Sequence, residues 1–201
     1  AFTARPDGTP DPADQVILHN ADTPMPLAST IKVVLLAAYA REVVATRLDP
    51  LAEVPVGEWE RYYLPGTDGG AHPDALAELG IPADGEGFAL DPAAAVTIDR
   101  LVWAMICHSD NAAADWLRTR LGDTAVAATI AEAGLTGQDQ PPSMLGVVLA
   151  WSNHERPSIS AARIEQYLRE PGSFAAEARR LEAAYLDPAW RDAELAWRRE
   201  T

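Results

Sequence analysis

Lysine is nearly missing from this chain: of 16 basic side chains, 15 are arginine and one, Lys32, is a lysine. Cysteine is as scarce. The single Cys107 excludes an internal disulfide, and its place in an apolar helical pattern reads as a small buried residue. No apolar run approaches the roughly 20 residues that a membrane-spanning helix needs. Positive charge is in deficit, with 30 acidic side chains giving a net charge of −14 and a pI near 4.5. That balance argues against nucleic acid and anionic membrane surfaces as partners. The carboxylates are scattered along the chain, as on a solvated surface, rather than gathered as metal ligands. His19, His72, His108 and His154 also lack metal-ligand spacing and read as surface or hydrogen-bonded residues. Gly69 and Gly70 have no lysine or following helix to make a phosphate cradle, so they read as turn residues. Internal repeats and low-complexity tracts are absent, and 201 residues suffice for one domain with a sizeable core.

What is present centres on the one lysine. Lys32 follows Ser29 by three residues at the start of the most apolar stretch, and from Ile31 to Ala40 it is the only residue that is not apolar. The pattern predicts a first helix over 29–47, buried on most of its circumference. Residues at i and i+3 share a helical face, so Ser29 and Lys32 fall within reach of each other. Burial disfavours a charged lysine, which makes its amine available as a base near neutral pH. A hydroxyl at a helix start gains as a nucleophile from nearby N–H dipoles. Read alone, the pair is better taken as a serine cap and a lysine whose stem covers apolar surface while its ammonium reaches water.

A second constellation, Ser109-Asp110-Asn111, lies about 80 residues further on. Ile98, Leu101, Val102, Met105 and Ile106 before it mark the buried face of a helix over 97–107, and a second helix follows over 112–121. Singly, such a triplet suits a helix-cap turn. Together with Ser29 and Lys32 it resembles two of the three active-site motifs of class A β-lactamases and penicillin-binding proteins, Ser-x-x-Lys and Ser-Asp-Asn. The lead-in from His19 to Pro26, and the helices over 112–121 and 124–133 closed by Gly134, are similar to that family's order over roughly residues 15–135.

The resemblance implies an α/β (α+β) fold, an antiparallel sheet flanked by helices with a mostly helical subdomain. It implies an acyl-enzyme on Ser29, with Lys32 taking the serine proton and Ser109 relaying it to the leaving nitrogen. Asn111 would hold the substrate amide and bond Lys32, and the Ser29 N–H would supply half of an oxyanion hole. A small-molecule β-lactam or a peptidoglycan-like substrate, no cofactor or metal, and export from the cytoplasm are implied with it. A DD-peptidase or esterase-like acyl hydrolase and a non-catalytic member that binds a ligand or partner stay open, as does an unrelated helical protein with two capping motifs.

Two departures qualify this reading. The family's third motif, Lys-Thr-Gly or a variant with another cation, is not found; by the family's spacing it falls beyond Thr201. The expectation is therefore a flexible segment over 1–14 and a hydrolase domain over 15–201 that lacks its C-terminal strands. In the loop after Gly134, class A enzymes carry a glutamate that positions the deacylating water. Here no glutamate occurs between Glu132 and Glu155, and Asp139 is the loop's only carboxylate. Elsewhere, 14–19 reads as the only strand, and 51–92 as a long glycine- and proline-rich connection. Residues 158–199 read as two or three charged helices broken at Pro171-Gly172 and Asp187-Pro188. Trp59, Tyr62 and Tyr63 read as packing residues rather than the edge of a groove.

Overall fold

The apolar run after Ser29 coils as its composition dictates. In the computed structural model, which describes residues 23, 27–135, 137–140 and 142–201, a 3₁₀ turn over Ala28–Thr30 runs straight into helix α1, Ile31–Val44. The helix stops short of the expected residue 47 because Thr46 takes a left-handed φ of 56°. It is also less enclosed than its apolarity suggests. Ile31, Lys32, Leu35, Ala38 and Tyr39 are buried, but Val33 is 59% exposed. One face alone meets the helices described below. The segment 1–14 and the strand expected over 14–19 lie outside the described residues.

The stretch 51–92 is folded rather than a connection. Strand β1, Glu53–Pro55, pairs antiparallel with β2, Ala95–Thr97, with Val54 opposite Val96. Helix α2, Val56–Trp59, a 3₁₀ turn over Glu60–Tyr62, and α3, Ala71–Glu78, lie between them. Val54, Val56, Trp59, Tyr63, Ala75, Leu76 and Ile81 are all buried in the main core, so apolar anchors set among the glycines and prolines fix the path. Gly69 and Gly70 do act as turn residues, with φ of 70° and 92°, although, against expectation, a helix, α3, follows Gly70 directly.

Helix α4, Ile98–Cys107, is capped by the Thr97 hydroxyl, and Ile98, Leu101, Val102, Ala104 and Met105 face the core. Ile106, expected on that face, is 40% exposed, and Cys107 is exposed rather than buried. At about 100° per residue, both step past the face centred on Leu101 and Met105. Helices α5, Asn111–Leu121, and α6, Asp123–Glu132, follow as expected. Gly134 at φ 68° ends α6, and the Gly134 and Leu135 N–H groups turn back to Ala131 and Ile130. Helix α7, Met144–Trp151, had no counterpart in the sequence reading. The C-terminal region forms α8, Ala161–Arg169, α9, Pro171–Tyr185, and α10, Pro188–Glu200. Each proline begins its helix, where its missing N–H costs nothing.

The class is α+β: mostly helical, with a small two-stranded antiparallel sheet among the described residues. Helices α1 and α4–α6 enclose the main core with the 53–81 segment. A second cluster of Leu64, Leu145, Leu149, Ala150, Leu181 and Tyr185 joins α7 to α9. Gly146 sets their separation, because a Cβ there would lie 2.2 Å from the Ala178 carbonyl oxygen. That neighbour is helical backbone and cannot step aside. Gly146→Ala is expected to lower stability by about 2 kcal/mol, overpacking outweighing the gain in helix propensity. In thermal denaturation this is a fall in Tm of roughly 5 °C. An unchanged or raised Tm would refute the close α7–α9 contact.

Candidate active site

Each side chain of the two motifs comes from a helix start. Ser29 sits in the 3₁₀ turn ahead of α1, directly after Ala28 at φ 45°. Ser109 precedes α5 at φ 63°. Non-glycine residues in this region cost on the order of 1–3 kcal/mol each, and such strain gathers where geometry serves a site. Asp110 caps α5 by accepting from the Ala113 N–H at 2.9 Å. The capping reading of the triplet is thus right for Asp110. Ser109 and Asn111 turn instead towards Lys32.

The lysine lies behind the serine. Lys32 is 2% exposed, while Ser29 is open to solvent. Four acceptors compete for the at most three N–H groups of Lys32 Nζ: Ser29 Oγ at 3.2 Å, Ser109 O at 2.6 Å, Ser109 Oγ at 3.0 Å and Asn111 Oδ1 at 2.7 Å. The Ser109 hydroxyl in turn donates to Ser29 Oγ at 3.0 Å. The two hydroxyls and the amine therefore close a ring in which a proton can leave Ser29 directly or through Ser109. Burial holds the Lys32 pKa below its ordinary value, against the pull of Asp110, Asp115 and Asp68. An amine so lowered can accept a proton that an ordinary lysine cannot.

Behind Asp110 lies a histidine that the sequence reading set aside. His72 is fully buried; its Nδ1 is 2.8 Å from Asp110 Oδ2 and its Nε2 is 3.4 Å from Glu60 Oε1. Tyr63 stacks on the ring at 4.2 Å and Trp59 meets it edge-on at 4.9 Å. These two aromatics are packing residues, as expected. The C-terminal helices brace this wall: the Tyr185 hydroxyl donates to Tyr63 O at 2.5 Å and Arg191 Nη2 to Glu60 O at 2.9 Å. His108, beside Ser109, bonds Glu78 at 2.6 Å, and His154 bonds the buried Glu194 at 2.9 Å. Both fit the hydrogen-bonded reading, and His19 lies outside the described residues. Among those residues no group of three or more His, Cys, Asp or Glu is placed to hold a metal ion.

A family model described as the beta-lactamase enzyme family matches residues 11–169. The chain belongs to the β-lactamase enzyme family. No curated protein and no solved structure matches it. Membership supports a β-lactamase-like serine hydrolase in general type and suggests a small molecule as the kind of substrate. No helix among the described residues is long and apolar enough to cross a membrane.

In this β-lactamase-family site the loop after Gly134 is anchored one turn beyond Asn111. Asp115, buried on α5, accepts from the Met144 and Leu145 N–H groups at 2.8 Å each. Burial pushes its carboxyl up to about 7, although both N–H bonds and Arg118 favour the charged form. The anchor brings Met144 and Leu145 to the crevice beside Asn111, which Tyr62, Leu64 and Asp68 also line. Asp139 does not line it. Among the described residues Asp68 is the one carboxylate that does, and its two oxygens accept from the Gly70 and His72 N–H groups at 3.0 and 2.9 Å.

Proposed function

We propose that the protein is an acyl-enzyme-forming serine hydrolase of the class A β-lactamase type, in which Ser29 attacks a β-lactam or related amide or ester carbonyl. The reading rests on one observation above all: a buried lysine amine within 3.2 Å of the Ser29 hydroxyl and 3.0 Å of the Ser109 hydroxyl. Lys32 takes the Ser29 proton as the Oγ–C bond forms. As the acyl C–N bond breaks, Ser109, bonded to both, gives its proton to the leaving nitrogen and takes the one held by Lys32 in its place. Asn111, with its Oδ1 fixed on Lys32 Nζ, has no partner for its amide N–H₂ among the described residues and can offer it to the substrate. Because the family is exported, we assign the protein to the extracytoplasmic side.

A second reading, a DD-peptidase or esterase-like acyl hydrolase, is favoured by the crevice beside Asn111. Met144 and Leu145 stand there, and Asp68, the only lining carboxylate among the described residues, already accepts two backbone N–H bonds. The loop after Gly134 also carries no glutamate to activate a water on the acyl-enzyme. The expected outcome with a chromogenic cephalosporin is a fast burst of about one equivalent, followed by slow turnover. Stopped-flow absorbance reads both phases. Steady hydrolysis without a burst, unchanged in Asp139→Asn, contradicts slow deacylation and favours the plain β-lactamase. Neither burst nor hydrolysis with β-lactam and ester probes alike contradicts the enzymatic reading and leaves a ligand-binding member.

A further inference from the structure

We propose that His72 is a positioning residue for this reaction: held as an imidazolium between Asp110 and Glu60, it fixes the Ser109–Asn111 turn and offsets the Asp110 charge felt by Lys32. The inference rests on the assignment of Lys32 as base. It starts from the two ring nitrogens, Nδ1 facing Asp110 at 2.8 Å and Nε2 facing Glu60 at 3.4 Å. A neutral imidazole carries one N–H, so its second nitrogen would point a lone pair at a carboxylate oxygen. Only the doubly protonated ring donates to both.

The surroundings require the same state. Asp110 is fully buried and Glu60 is 5% exposed. Their remaining partners are backbone N–H groups, Ala113 for Asp110 and Ala89 for Glu60. With a neutral His72, two buried carboxylates would face each other across an uncharged ring, an arrangement that is costly in a dry interior. Burial works against the charged ring, but the bonds to Asp110 and then Glu60 outweigh it and raise its pKa to about 9. The other titratable group packed on the ring, the Tyr63 hydroxyl, is pushed above its ordinary range by burial and stays neutral.

The consequence reaches Lys32 through Asp110. One Asp110 oxygen caps α5 and the other takes the histidine N–H. The carboxylate therefore holds the turn that carries Ser109 and Asn111, which supply three of the four acceptors around Lys32 Nζ. Asp110 is also the foremost of the three carboxylates that oppose the lowering of the lysine, ahead of Asp115 and Asp68. Stripped of its cation, Asp110 pulls harder on the Lys32 proton, and less free amine is available at neutral pH.

His72→Asn tests this, because an asparagine can keep an N–H towards Asp110 while removing the charge. With the full chain and a chromogenic cephalosporin, the acylation rate is followed against pH. The limb on which Lys32 loses its proton is expected to move up by about one pH unit, a roughly 10-fold loss on its acidic side. A uniform slowing with the limb in place, or an unaltered profile, overturns the proposal. Should the variant fail to fold, nitrogen-15 NMR of wild-type His72 decides the matter: both ring nitrogens protonated at pH 7 is expected, and a neutral tautomer overturns it. Wild-type protein that forms no adduct overturns the assigned function instead, and the nitrogen spectrum still decides the charge of His72.

Discussion

Replacing Lys32 by arginine is expected to slow acylation of Ser29 by roughly 10²-fold or more, the range for loss of a general base, although the positive charge is kept. The proposed base role of Lys32 needs a lone pair, and an amine whose pKa is lowered by burial can offer one to the Ser29 hydroxyl 3.2 Å away. A guanidinium keeps its proton at any working pH and has no lone pair to offer. Its planar fork also does not fit a hole shaped by four acceptors converging within 3.2 Å of one atom. Acylation is measured as burst rate with a chromogenic cephalosporin, alongside circular dichroism to establish that the variant folds. Burst rates within a few-fold of wild type would make Lys32 a structural cation only.

The sequence exposes this site because its chemistry sits in two short, local patterns. Ser29 and Lys32 are one helical turn apart, and Ser109 and Asn111 flank a cap, so each half is visible without tertiary information. The helices at 98–107, 111–121 and 123–132 are legible for a similar reason: a capping threonine, an aspartate cap and a closing glycine at 134 punctuate a clear apolar period. Pro171 and Pro188 mark their helix starts equally well.

What the sequence conceals depends on contacts between distant segments. Strands of three residues, Glu53–Pro55 and Ala95–Thr97, are too short to show a two-residue alternation. They form because Val54 and Val96 are covered by the same core. Helix α7 is apolar nearly throughout, which leaves no period to read; Ser143 caps it locally, but its first N–H groups are also held by Asp115, some 30 residues back. The exposure of Val33, Ile106 and Cys107 follows from which helix faces meet, not from how apolar each helix is. His72 is the most instructive case. Its partners stand 38 and 12 residues away, and nothing beside it in the chain sets it apart from a surface histidine.

On the proposed function Ser29 is a nucleophile rather than part of a polar turn, and substitution there has the largest effect of any. Its hydroxyl caps no helix; it receives hydrogen bonds from Lys32 and Ser109 and lies open to solvent. Removing it takes away the bond-forming atom while leaving the lysine cage with Ser109 and Asn111 in place. Incubation of the full-length chain with a reactive penicillin or an acyl phosphonate, followed by intact-mass spectrometry and peptide mapping, reads the outcome directly. The account predicts one adduct on wild-type protein, mapped to Ser29, and none on Ser29→Ala. An equal adduct on both proteins, or no adduct on wild type with several acyl probes, would contradict it.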